Sequence, residues 1–237
     1  MNLELRNLFL VLLVALFSSF AIADDCKRVT ADVAVFDKNV EDKKSEFEKI
    51  PENPNDKKWV KSKILHMVDV DQYLRTTVMN LPWEQKYNQL ETDCFWKEMG
   101  PRWQRIDSTN TNDLSVLMKI YSWFKISEFG QDISQKAWLL AQHADLNRPF
   151  QKEVLSLLEK LYPVGEALPR NYAYLYDRVT WYGDGKPQRY ATQGQCHGPN
   201  NWQPHPTEDL LNVDTVRASM GIEPLAEKKK VLDQHCH

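Results

Sequence analysis

Four short polar groupings in this chain carry side chains able to move a proton or hold a charged ligand. They are Asp71-Gln72-Tyr73-Leu74-Arg75, Gln142-His143-Ala144-Asp145, Tyr174-Leu175-Tyr176-Asp177-Arg178 and Gln188-Arg189-Tyr190-Ala191-Thr192-Gln193. Among them His143 is the natural proton carrier, because imidazole titrates near neutrality and serves as either acid or base. Asp177 can orient that imidazole, and Arg178 or Arg75 can hold an anionic group of a substrate. Asp71, Arg75 and Gln142 offer further polar groups to a substrate, and Gln188, Tyr190 and Gln193 offer neutral hydrogen-bonding groups suited to a sugar or peptide, or equally to sheet pairing.

A plainer reading competes at each position. His143 follows Leu139 and Leu140 on the apolar side of its helix, where a histidine is more often a core residue satisfied by one neighbour. Asp71 and Arg75 are four residues apart, a spacing that supports a helix by roughly 0.2–0.5 kcal/mol and needs no further role. Asp145 lies two residues beyond His143, far round a regular helix, and is assigned to capping the next one. Asp177 falls on the Leu175 and Val179 side of an alternating run, so it needs a cation or several donors; Arg75 and His143 are the candidates. Structural ion-pair networks perturb titration as catalytic ones do.

Other chemistries find less support. Cys196-His197 with His205, and His235-Cys236-His237, lack the regular spacing of a zinc site, so no metal ligands are assigned. There is no glycine-rich phosphate loop and no nucleophile elbow, so no cofactor is expected. A formal net charge of −3 gives no basic footprint for nucleic acid. Arg6, the apolar run Leu8 to Phe20 and Ala21-Ile22-Ala23 read as an export signal over residues 1–23 with no later membrane span. The four cysteines then form two disulfides in an oxidising compartment, periplasmic or extracellular. Spacing does not select among three pairings; Cys26 with Cys94 and Cys196 with Cys236 is preferred because each staples a terminus to nearby chain.

The elements that must position these groups are mainly helices, given only eight glycines and long runs of 3.6-residue apolar spacing. Helices are expected over Val29–Ile50, from Asp56 to a stop at Pro82, and over Trp83–Met99 with Gly100-Pro101 closing the last. Thr109 to Asp113 then reads as a capped start for a helix carrying Leu114, Leu117, Met118, Tyr121 and Phe124, which Gly130 breaks. The next runs from near Asp132 to the Gln-His-Ala-Asp group. Asn147 or Arg148 caps its successor, with Pro149 in the first turn, and the two form a helical hairpin whose bend carries the polar groups. From Ala173 to Thr192 the alternation predicts a β-hairpin turning at Gly183-Asp184-Gly185, with a helical start to its aromatic run as the alternative. A proline-rich loop exposing Trp202, a short helix Asp214–Met220 ended by Gly221, and a basic, solvated tail complete the chain.

The four polar motifs, in this order, resemble a bacterial domain family of unknown function whose pattern is Asp-Gln-x-x-Arg, Gln-His-Ala-Asp, Tyr-Leu-x-Asp-Arg and Gln-x-Tyr-Gly-Thr-Gln. The resemblance covers a core of about residues 63–225. It departs at Ala191, where the pattern has Gly, and at Ser122-Trp123-Phe124, where it has Gly-Trp-Pro. The family has no assigned reaction, so the resemblance implies a domain and a site, not an activity.

The expected protein is therefore one exported, mainly α domain over residues 24–237, an antiparallel helical body with an appended β-hairpin. Its polar site is expected to act as a metal-independent hydrolase or lyase of the cell envelope, with His143, Asp177 and Arg178 in the catalytic roles. The alternative is a noncatalytic periplasmic binding or interaction protein in which the same groups recognise a polar ligand or envelope component.

Overall fold

The computed structural model describes residues 26–79 and 86–236. The expected export signal, residues 1–23, lies outside the described residues, as do Pro82 and Trp83. Among the described residues no helix is long and apolar enough to cross a membrane. The chain is mainly α, with one small antiparallel sheet, and it divides into two compact units. One takes in residues up to Pro51 and from Val70 to Ile106; the other comprises Glu52–Asp69 and Asp107–His237.

The first unit is built on α1 (Lys27–Phe47), the later part of α2 (Lys57–Met79) and the start of α3 (Gln89–Tyr121). Val29, Val33 and Phe36 place one face of α1 in a core with Leu74, Val78, Phe95 and Met99. Phe36 stacks on Tyr73 at 5.3 Å between ring centres. Cys26 is bonded to Cys94 with 5.9 Å between Cα atoms, within the range a disulfide requires.

α3 corrects the sequence reading twice. No helix ends at Gly100-Pro101: α3 runs through both residues and on through the supposed start at Thr109–Asp113. A proline inside a helix loses one hydrogen bond and crowds the preceding turn. Here Pro101 is exposed, while Phe95, Met99 and Ile106 keep one helical face packed in the core on either side of it. Burial of that stripe outweighs the local penalty. Thr111 and Ser115 do not cap anything; their hydroxyls donate back to the carbonyls of Asp107 at 2.7 Å and Thr111 at 2.8 Å. Such bonding lets a cap-type residue sit in a helix interior.

In the second unit α3 ends at Tyr121, and Ser122 takes a left-handed φ of 60°. Then follow α4 (Ile126–Phe129), α5 (Gln131–Gln142), α6 (Arg148–Leu161), a 3₁₀ turn at Tyr162–Val164 and α7 (Pro169–Arg178). Ile133, Ala137 and Leu140 bury one face of α5, and Phe150, Val154 and Leu158 that of α6. Asn147 caps α6, its side-chain oxygen accepting from the Phe150 N–H at 3.1 Å with Pro149 in the first turn. Asp145 is not that cap.

The β-hairpin expected from Ala173 to Thr192 is absent. Pro169 starts α7 instead, and a π-helical turn, Val179–Gly183, continues it. Tyr172, Ala173, Leu175, Asp177 and Val179 are all buried. A helix buried over most of its circumference has no clean 3.6-residue stripe, and its tyrosines imitate strand composition. The hairpin lies later, between β1 (Gly194–Cys196) and β2 (Trp202–Pro204), paired Gly194 to Pro204 and Cys196 to Trp202. Trp202 is buried there, not exposed. A Cβ on Gly194 would lie 2.3 Å from the Trp202 ring, so the residue at this position must be glycine for the indole to cover the strand.

Two terminal helices follow, α8 (Val213–Ser219) and α9 (Leu225–Asp233). The expected solvated tail is thus helical. Lys229 of α9 donates to the Trp202 carbonyl at 2.7 Å, and Asp233 accepts from the Trp202 N–H at 2.7 Å. The Cys196–Cys236 disulfide, 5.5 Å between Cα atoms, closes the same contact. Both disulfides pair as anticipated, and they accord with an oxidising environment.

Candidate functional site

The bend between α5 and α6, the end of α7 and the loop after the π-turn bring Asp145, Arg178 and Gln193 together. Arg178 grips the Asp145 carboxylate with two donors: Nε at 2.9 Å, and one terminal nitrogen. Its other terminal nitrogen donates to Gln193 Oε1 at 3.3 Å. Asp145 also accepts from Arg148 at 3.1 Å and from Gln151 at 3.2 Å. A two-pronged guanidinium–carboxylate contact fixes orientation as well as charge. Burial pushes the Asp145 carboxyl up, but the hydrogen bonds and charge of Arg178 outweigh it, and the pKa lies below the ordinary carboxylate value. Two guanidiniums share this one carboxylate, so the cluster keeps a net positive charge.

Arg178 also lies over the Tyr182 ring, 5.6 Å from its centre. The Tyr182 hydroxyl meets His205 Nε2 at 3.1 Å, and the His205 ring stacks on Trp181 at 4.7 Å. Burial, then the neighbouring His197, lowers the His205 pKa, which favours the neutral ring. The π-turn sets this shelf: its extra residue per turn re-aims Trp181 and Tyr182 relative to the α7 register, a distortion common at functional sites. Tyr182 is well exposed.

Asp177 has a different task. It is fully buried, and its carboxylate accepts from the Arg189 N–H at 2.8 Å, the Tyr190 N–H at 3.1 Å, the Thr192 N–H at 2.9 Å and the Thr192 hydroxyl at 2.9 Å. Burial is the larger influence and leaves its pKa above the ordinary carboxylate value, although these donors pull it down. Each of these partners donates, which favours the anion against that burial. From the other side Arg217, also fully buried, donates to the carbonyls of Tyr190 at 2.7 Å and Ala191 at 3.2 Å. An acid takes the loop's N–H groups and a base takes its C=O groups. Buried Gln188 completes the loop: it exchanges bonds with the Gln193 backbone and donates to the His205 carbonyl at 2.8 Å.

The remaining candidates are placed as follows. His143 is the half-buried C-cap of α5. The Gln142 carbonyl accepts from Gln151 at 2.8 Å, and its buried side-chain oxygen has no hydrogen-bond partner. Tyr190 is buried, with its ring edge-on to Tyr176, so it is part of the core rather than a free ligand group. Asp71 and Arg75 belong to the first unit, paired at 2.7 Å with Asp71 fully buried and Arg75 over Trp103. Such a pair means more to the fold than a solvent-exposed helix pair. Among the described residues no group of three His, Cys, Asp or Glu side chains is placed to hold a metal ion.

Asp145, Gln151 and Arg217 were not among the sequence candidates for the site, and Gln188, expected as a hydrogen-bonding group for a ligand, is instead engaged within the loop. Asp145 had been dismissed on regular helix geometry, but α5 ends at Gln142, and that rotation no longer applies. A family model described as a family of unknown function (DUF6624) matches residues 59–236. The chain belongs to this family. All four polar motifs fall inside the DUF6624 match, whereas α1 precedes it. A search of curated proteins and a search of solved structures each found no match.

Ala191 offers a local test of the clamp. It is buried at a left-handed φ of 51°. A glycine there relieves roughly 1–2 kcal/mol of left-handed cost but loses a buried methyl and gains freedom in the unfolded chain. Ala191→Gly should therefore change stability by less than about 1 kcal/mol, whereas branched Ala191→Val should cost about 2 kcal/mol. Urea unfolding of the two variants measures both.

Proposed function

We propose that this is an exported, periplasmic or secreted, noncatalytic binding protein whose recognition face is the Arg178–Tyr182–His205 shelf, and that its ligand is a saccharide of the cell envelope. The observation that carries the reading is the arrangement of Arg178: its planar fork is locked by Asp145 while it lies over the exposed Tyr182 ring. Aromatic faces beside rigid planar polar groups suit a ligand with hydroxyls at its rim and C–H groups on its face. A side chain held in place before binding loses less entropy on association.

The hydrolase or lyase reading asks for a carboxylate free to orient His143. Asp177 is engaged by the loop and Asp145 by Arg178, so neither carboxylate supports it. The test is an amide-resolved NMR titration with N-acetylglucosamine disaccharide. Saturable shifts at Trp181, Tyr182 and Gln193 are expected, lost in Tyr182→Ala with an unchanged melting temperature. Conversion of the disaccharide in the tube, abolished by His143→Ala, would instead establish an enzyme.

A further inference from the structure

The opposite side of the π-turn carries a cavity of about 530 Å³. One wall comes from α6 with Lys152 and Leu155, the floor from Tyr176, Val179 and Thr180, and the lip from Lys186 and Glu208. This is the size of a small-molecule site. Its charges are largely matched. Lys152 donates to Asp184 at 2.6 Å across the opening, and Arg189, lying over the Tyr176 ring at 4.8 Å, donates to Glu208 at 3.2 Å. Lys186 is different: among the described residues lining the cavity it is the cation with no carboxylate partner. Its backbone is nevertheless fixed, its N–H donating to the Thr180 carbonyl at 3.0 Å.

We infer that this cavity is a second binding site, for a small sugar acid. The cavity combines one cation without a carboxylate partner, two carboxylates able to accept from hydroxyls, the Thr180 hydroxyl and the apolar Leu155 and Val179. Lys186 would take the ligand carboxylate as a charge-assisted bond, Asp184 and Glu208 its hydroxyls, and Leu155 and Val179 the ring. A neutral sugar leaves Lys186 unmatched; an apolar acid leaves the carboxylates without donors. The inference does not rest on the Arg178 shelf, whose amides report separately.

The probe is glucuronate, with glucose as its uncharged counterpart, titrated into the full mature chain and followed by amide NMR. Glucuronate should give saturable shifts at Leu155, Thr180 and Lys186. Lys186→Gln should weaken binding about ten-fold, the loss expected for one hydrogen bond to a charged group, while Lys186→Arg retains it and both variants melt as the parent does. Equal binding of glucose, shifts confined to Trp181 and Tyr182, or undiminished affinity in Lys186→Gln each overturns the inference.

Discussion

Asp177→Ala is expected to destabilise the protein by about 3–5 kcal/mol, because it removes the acceptor for three buried backbone N–H groups and one hydroxyl at once. For a chain of this size that corresponds to a fall of roughly 10 °C in Tm. Asp177→Asn should be nearly as damaging. Its amide nitrogen replaces an oxygen that faces only donors, so at least one N–H group meets another donor. Urea unfolding of both variants is the measurement. Near-parental stability in Asp177→Asn would remove the anchoring role and return the residue to the catalytic candidates. Because Arg217 holds the other side of the same loop, a double substitution should cost less than the two single ones added together.

Replacing the first disulfide should have an effect of similar size. Cys26 and Cys94 are 68 residues apart, and closing a loop of that length lowers the entropy of the unfolded chain by an amount worth about 4 kcal/mol at 25 °C. The Cys26→Ser, Cys94→Ser double variant is expected to lose about that much in denaturant unfolding. The test separates two pictures of the first unit. A loss under about 1 kcal/mol would mean that α1 is held by Val29, Val33 and Phe36 without help from the crosslink. Synthesis in a reducing compartment leaves both disulfides unformed, so that protein should unfold at a denaturant concentration below that of the double variant.

His143 shows how motif reading identified residues but misassigned partners. The Gln-His-Ala-Asp group was legible as polar chemistry at a helix end, and Arg178 and Gln193 were expected in one site with His143 and Asp177; in the structure Arg178 meets Gln193 and Asp145. Asp177 was read as needing a cation or several donors, with Arg75 and His143 as the candidates; it is buried, and neither of them reaches it. Its donors are backbone N–H groups, however, and these carry no side-chain signature. Asp145 was set aside as the cap of the next helix, a role that Asn147 takes, although the end of α5 at Gln142 frees it to face the site.

The sequence alone determined the helical class and the approximate spans of α1, α2, α5 and α6, which follow from local spacing. It left the cap of α6 open among Asp145, Asn147 and Arg148, and it gave the cysteine pairing only as a preference among three. It did not determine that α3 continues through Pro101, that Tyr172 to Val179 is helical, or that the tail forms α9. In the first two cases a local preference was overruled by burial against residues far away in the chain, whereas α9 is tied to β2 by Lys229, Asp233 and the Cys196–Cys236 disulfide. The site depended wholly on that packing. Asp145 meets Arg178 across 33 residues and Arg217 reaches Tyr190 across 27, and only the folded chain can bring such partners within hydrogen-bonding distance.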